Sequence, residues 1–121
     1  MLKLHSMSFI TLNNLTPKEV VPGYYGRVIH TETMSLMYWM VEKEAIMPIH
    51  THLHEQVAHV IIGRFELTVD GETRIMEPGM VAVIPPHAPH GGKAITYCEL
   101  MDVFYPVRED YKFEETNKNV S

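Results

Sequence analysis

From Tyr24 onward, apolar and polar positions come in short bursts separated by turn residues, the pattern of successive strands rather than helices. Tyr24 to His30 and Ser35 to Val41 are rich in aromatic and branched residues, and Ile46 to His52 and Val57 to Ile62 follow, stopping at Gly63. Phe65, Leu67 and Val69 alternate with Glu66 and Thr68, a period-two stripe with one wet face. Asp70-Gly71 predicts a two-residue hairpin turn, because both central residues must tolerate positive φ. The return strand, Glu72 to Met76, closes at Glu77-Pro78-Gly79, where proline and then glycine suit a type II turn. Val81 to Ile84 is a continuous apolar run that predicts a strand buried on both faces, halted by Pro85-Pro86. A long strand from Ala94 to Tyr105 completes the set. The single helical signal is short: Thr16 as N-cap, Pro17 at the first position, Glu19 at N3, and Pro22-Gly23 as the stop.

About eight short strands with tight turns predict an all-β domain, an antiparallel sandwich or barrel with the jelly roll included. The expected organisation is an N-terminal arm with a short helix (1–23), a barrel (24–111) and a polar tail (112–121). A chain of 121 residues can bury a real core, and 45% apolar with 21% charged residues is the balance of an ordinary globular protein. Ten Lys+Arg against fifteen Asp+Glu give a formal charge of −5, which argues against a nucleic-acid partner. Cys98 stands alone, so nothing demands an oxidising compartment. The first residues carry neither a sustained apolar core nor a cleavage site, and no run reaches the roughly 20 apolar residues of a membrane span. A cytoplasmic protein without a membrane partner is expected.

Histidine changes the picture. Of eight histidines, six fall from His50 to His90. In Pro48-Ile49-His50-Thr51-His52-Leu53-His54-Glu55-Gln56, strand parity puts His50 and His52 on one face, with Gln56 in the same parity after a short turn. His90 adds a third imidazole beyond the Pro85-Pro86 break. Three ring nitrogens and an amide oxygen can fill most of the coordination sphere of one divalent transition metal, with zinc, nickel, manganese, iron and cobalt all compatible. Alone, a His-x-His pair reads more readily as two solvated edge residues than as metal ligands. His54, His59, His87, His5 and His30 carry no ligand signal, and His59 is expected to face a partner or the other sheet.

The spacing resembles the two motifs of the cupin superfamily, G-x5-H-x-H-x3-E-x6-G and G-x5-P-x-G-x2-H-x3-N. His50, His52, Gln56 and Gly63 stand in the register of the first, and Gly79, Pro85 and His90 in that of the second. Glu44, His87 and Ala94 replace two glycines and the asparagine. The resemblance implies a double-stranded β-helix with the metal held by His50, His52, Gln56 and His90. Gln56 stands where many cupins place glutamate. A neutral amide leaves the ion's charge uncancelled, which favours an anionic ligand and weakens a two-histidine, one-carboxylate oxygenase reading.

Near the C-terminus, Cys98, Leu100, Asp102 and Phe104 share one strand face. A carboxylate among apolar neighbours is a candidate proton-transfer group, or else a rim residue paired with a cation. Arg108, after Pro106, is either a surface cation or a carboxylate clamp. Asp-Val-Phe-x-Pro-x-Arg-Glu-Asp-Tyr together with His-x-His-x-His-Glu-Gln is similar to the KdgF family of pectin degradation proteins, over roughly residues 25 to 112. That resemblance implies conversion of unsaturated monouronates from pectin or alginate into open-chain keto acids. It makes Asp102, Phe104 and Arg108 the catalytic and substrate-contacting set and a small anionic sugar acid the partner. A non-catalytic sugar- or anion-binding module and a metal-dependent dioxygenase are the competing readings. Family habit also implies a homodimer, to which Met34 to Val41 could contribute if it is not interior.

Overall fold

A computed structural model of the chain describes residues 8–113. Ten strands are present: β1 (Lys18–Val21), β2 (Tyr24–His30), β3 (Ser35–Val41), β4 (Ile46–His50), β5 (Glu55–Ile62), β6 (Phe65–Val69), β7 (Glu72–Met76), β8 (Val81–Ile84), β9 (His90–Ala94) and β10 (Cys98–Tyr105). They form two antiparallel sheets, of order β1-β2-β3-β10-β5-β8 and β4-β9-β6-β7. The sheets share one apolar core, with Met37, Trp39, Val41 and Leu100 from the first meeting Phe65, Leu67, Met76 and Ala94 from the second. This is the all-β jelly-roll barrel expected. The alternation that predicts it is clearest in β3, where Ser35, Met37, Trp39 and Val41 are buried and the residues between them are half-buried.

Four local expectations fail, each for a physical reason. The helix over Thr16 to Val21 is absent, and Lys18–Val21 is the edge strand β1, paired with β2 from Lys18↔Gly26 to Val21↔Tyr24. Two adjacent valines favour the sheet, and Pro22-Gly23 makes a tight turn in which Gly23 takes φ 84. Glu19 closes that turn instead of capping a helix: its Oε2 accepts the Gly23 N–H at 3.0 Å. In β8, Val81 and Val83 are 52% and 63% exposed rather than buried, because β8 is an edge strand covered on one face only. The long C-terminal strand is two, β9 and β10, which lie in different sheets. Phe113, in the expected polar tail, packs on the core and against Tyr111, while residues 114–121 lie outside the described part.

The hairpin and type II turns are present, with Asp70, Gly71 and Gly79 all at positive φ. Glu44 and His87, which replace motif glycines, also keep positive φ (70° and 69°). The motif therefore records a backbone shape that persists without the glycine. Gly63 marks the corner where the chain leaves β5 and enters β6 in the other sheet. It sits at φ 94, and a Cβ there would run into the Tyr97 carbonyl oxygen and approach Thr96 Oγ1 to 2.7 Å. Its neighbour Arg64 is tied to the same segment, donating its N–H to Thr96 Oγ1 and accepting from Ile95 N–H at 2.9 Å.

Gly63→Ala is therefore expected to destabilise the fold by at least about 3 kcal/mol, combining backbone strain with steric conflict. Gly71→Ala, at a hairpin tip with open space around it, is expected to lose only about 1 kcal/mol. Urea denaturation of both variants checks the contrast, and equal midpoints would remove the corner argument.

Candidate metal centre

His50 ends β4 and lies directly across from His90, the first residue of β9, beyond a register shift after Met47. Their ring centroids are 4.3 Å apart. His52 reaches the same point by another route. The strand stops at His50, so His52 sits in the loop that crosses to β5 rather than on a shared strand face. Its ring lies 4.7 Å from that of His90 and 5.6 Å from that of His50. One nitrogen from each of the three lies within 4.8 Å of the others, a group that could hold a metal ion. Gln56, the second residue of β5, brings its Oε1 to 3.2 Å from His52 Nε2. His54, His59 and His87 stay outside this group, as expected.

The hydrogen bonds settle which nitrogens are free. Nδ1 faces a backbone carbonyl in all three rings: Pro48 O at 2.7 Å for His50, His54 O at 3.0 Å for His52, and Ala88 O at 2.8 Å for His90. A carbonyl can only accept, so each Nδ1 carries the proton and each Nε2 presents a lone pair. His90 is 4% exposed and its Nε2 is buried without a partner. His52 Nε2 faces Gln56 Oε1, a second acceptor. Converging lone pairs with no donor among them are what a cation would satisfy, so the residues present fit a divalent metal. Burial, helped by the Arg108 charge and by His90, holds the His52 pKa down to about 4. Burial also lowers that of His90. Protons therefore compete poorly for these two ligands at neutral pH.

Beside this group, Asp102 is buried on β10, facing inward as its parity predicts. Trp39 Nε1 donates to its Oδ2 at 2.9 Å. Burial pushes the Asp102 pKa up to about 6, against the opposing pull of hydrogen bonds from Trp39 and Gln56 and the Arg108 charge. Gln56 thus spans the centre, its oxygen toward His52 and its amide toward Asp102. Phe104, 2% exposed, stands edge-on to His52 at 5.7 Å. Arg108, 5% exposed, lies over the Phe104 and Tyr111 rings, with its central carbon 4.6 and 4.1 Å from the ring centroids. A cavity of about 60 Å³ between the sheets is lined by His50, Gln56, His90, Asp102, Phe104 and Arg108. All seven residues singled out in the sequence thus gather in one region. Sequence reasoning missed Trp39, Tyr111 and Asp110. Trp39 carries a signal, since it is the sole tryptophan and occupies an inward position of β3.

One divalent ion per chain is expected to bind, raising the melting temperature. His90→Ala should weaken binding at least about a hundredfold, exceeding the loss typical of an outer-shell change. Calorimetric titration with zinc and cobalt checks this, and unchanged affinity would mean the three imidazoles do not act together.

Comparison with known proteins agrees with this geometry. A cupin domain model matches residues 37–104. The pectin degradation protein KdgF of Dickeya dadantii is 33% identical over 104 residues, covering 83% of this chain and 94% of that protein. The solved structure of KdgF from Halomonas sp. has a TM-score of 0.81 at 30% identity, covering 85% of this chain and 96% of that one. An RmlC-like cupin from Shewanella frigidimarina has a TM-score of 0.82 at 28% identity, covering 86% and 95%. Among the described residues no helix is long and apolar enough to cross a membrane. With its motif histidines gathered inside a jelly roll and a family model spanning more than half its length, this chain belongs to the cupin domain family, alongside pectin degradation proteins of the KdgF type.

Proposed function

We propose that this cupin converts unsaturated monouronates into linear keto acids by ring opening and ketonisation. The observation that carries the reading is a buried carboxyl, Asp102, with a pKa near 6, sharing a cavity with an acceptor-only imidazole group and a buried arginine. The net change is an isomerisation. The C1 hydroxyl gives up its proton and C1 becomes an aldehyde as the C1–O5 bond breaks. The enolate so released takes a proton at C4, the C4–C5 double bond becomes single and the C5 oxygen becomes a carbonyl. His50, His52, Gln56 and His90 would hold the ion, which supplies Lewis acidity toward oxygen atoms of the sugar acid. Asp102 exchanges the proton, and a pKa close to the working pH suits it to both acceptance and release. Phe104 is an apolar wall against the sugar, and Arg108 holds the substrate carboxylate. With Gln56 neutral, the protein ligands bring no negative charge to the ion, which supports an anionic substrate over oxygen activation. A cytoplasmic setting fits this reading.

Asp102→Asn tests the central role. Turnover of 4,5-unsaturated galacturonate, followed as loss of alkene absorbance, should fall at least about a hundredfold with metal content unchanged. The same change should stabilise the metal-free protein at pH 8. A carboxyl with a raised folded pKa favours the native state while protonated and weakens it as pH rises from about 4 through about 6. The relief is on the order of 3 kcal/mol. Full activity in the variant would exclude Asp102 as the proton carrier, and a wild type inactive on both pectin- and alginate-derived sugars would leave only a binding module.

We also propose a homodimer formed by the outer face of the six-stranded sheet. Strand register lays Ile29, Leu36, Val103, Val57 and Val83 in one row across five strands, and Arg27, Tyr38, Met101, His59 and Val81 in the next. An antiparallel sheet exposed to water alternates apolar with polar, whereas the first of these rows is apolar throughout and the second largely so. The face measures roughly 24 by 20 Å from strand spacings. Side-chain relief brings it within reach of the about 800 Å² per partner of a stable interface. The cation in these rows, Arg27, spends its Nε–H on the Leu15 carbonyl at 2.8 Å, which leaves little charge to match with a different partner, and an identical flat face suits aligned sheet packing. Light scattering should give twice the chain mass for wild type and a monomer for Leu36→Lys, and a monomeric wild type would refute the pairing.

A further inference from the structure

Arg108 is held more completely than a substrate clamp requires. Its backbone N–H donates to Ser35 Oγ at 2.8 Å, and that hydroxyl is paired with His30 Nδ1 at 2.7 Å. Its guanidinium carbon lies over both the Phe104 and Tyr111 rings, which stand at 72° to one another. Two rings set at an angle confine the group but leave its N–H donors free to turn. Asp110 removes that freedom by accepting from Nε at 3.0 Å through Oδ1 and from Nη2 at 2.7 Å through Oδ2. This is a two-bond fork on the side edge of the guanidinium.

Guanidinium has five N–H donors in a rigid arrangement, and Asp110 takes one from Nε and one from Nη2. The end edge, made of Nη1 and the second Nη2 hydrogen, carries no carboxylate among the described residues, and the Tyr111 side chain shares in holding the group by a hydrogen bond. Arg108 lines the cavity and Asp110 does not, so Asp110 grips from outside. The Asp110 side chain is 58% exposed, whereas that of Arg108 is 6% exposed. An ion pair that is exposed at both ends contributes little to stability. This one has its cationic end inside a binding cavity, and two parallel bonds set direction as well as attraction.

We infer that Asp110 is a positioning residue. By occupying the side edge of Arg108 it aims the end edge into the cavity, where two parallel donors receive a ligand carboxylate. The arrangement selects ligands with a carboxylate at the end that enters first. This rests on the reading of the substrate as a sugar acid, and it adds a residue that reads the acid without touching it.

The test uses the full chain loaded with metal, as wild type, Asp110→Ala and Asp110→Asn. Two quantities are read: KM and kcat for 4,5-unsaturated galacturonate, and the affinity for galacturonate, which lacks the reacting alkene. The second is followed by fluorescence of Trp39, the only tryptophan, which borders the cavity and lies edge-on to Tyr111. Asp110→Ala should raise both KM and the galacturonate Kd about tenfold, the loss of one well-aimed charged contact, with kcat within about twofold. Asp110→Asn keeps one acceptor oxygen for the fork and should recover part of the loss. Melting temperatures should stay within about 2 °C, since one end of the pair is exposed. Unchanged KM and Kd in Asp110→Ala overturn the inference while leaving the proposed function standing, as does a loss confined to kcat. A wild type that neither turns over the unsaturated sugar nor responds to galacturonate overturns both.

Discussion

Three short hydrogen bonds from imidazole to backbone underlie the site. Pro48, His54 and Ala88 offer carbonyls to the Nδ1 atoms of His50, His52 and His90. Each bond fixes a ring's tautomer and its rotation together, so the backbone decides where the lone pairs point. The ring–carbonyl separation along the chain is two residues in every case, so each loop orients its own ligand. The barrel's task is then to bring the loops together. It does so through the cross-strand pairing of His50 with His90 and through β5, which carries Gln56 beside them.

Strand β10 connects the chemistry to the rest of the fold. Its inward positions hold Leu100, Asp102 and Phe104, and its outward positions hold Met101 and Val103. It pairs with β3 on one side and β5 on the other, so it lies in the interior of the six-stranded sheet. Trp39 on β3 reaches Asp102 from a neighbouring strand, and Gln56 faces Phe104 across the register with β5. A carboxyl whose pKa is raised by burial needs such a rigid setting, since any opening to water would return it to its ordinary value. The unfavourable burial of one acid is thus sustained by the interior of the sheet.

Period-two alternation made the strands and the inward direction of Asp102 and Phe104 legible, because sheet parity is a local property. Motif spacing made the histidine cluster legible, because the loop lengths between ligands are constrained by the barrel. The first strand was misread because a proline-glycine turn after two valines shares its residues with a helix stop signal. The exposure of Val81 and Val83 was hidden because a run of apolar residues does not say whether its strand lies at an edge. Trp39, Tyr111 and Asp110 escaped notice because their importance comes from contacts across the fold or around an arginine. The spacing of Arg108 and Asp110 says nothing about which edge of a guanidinium is in use.

The way the cavity is lined bears on how it answers to solvent. Its polar groups are few and come from separate strands, with His50, Gln56, His90 and Asp102 set among Leu67, Leu100 and Phe104. Lone pairs and a carboxyl held among such neighbours have already given up part of their water. Much of the dehydration that recognition ordinarily demands is therefore met when the chain folds, and an incoming cation or acid has chiefly its own hydration to shed.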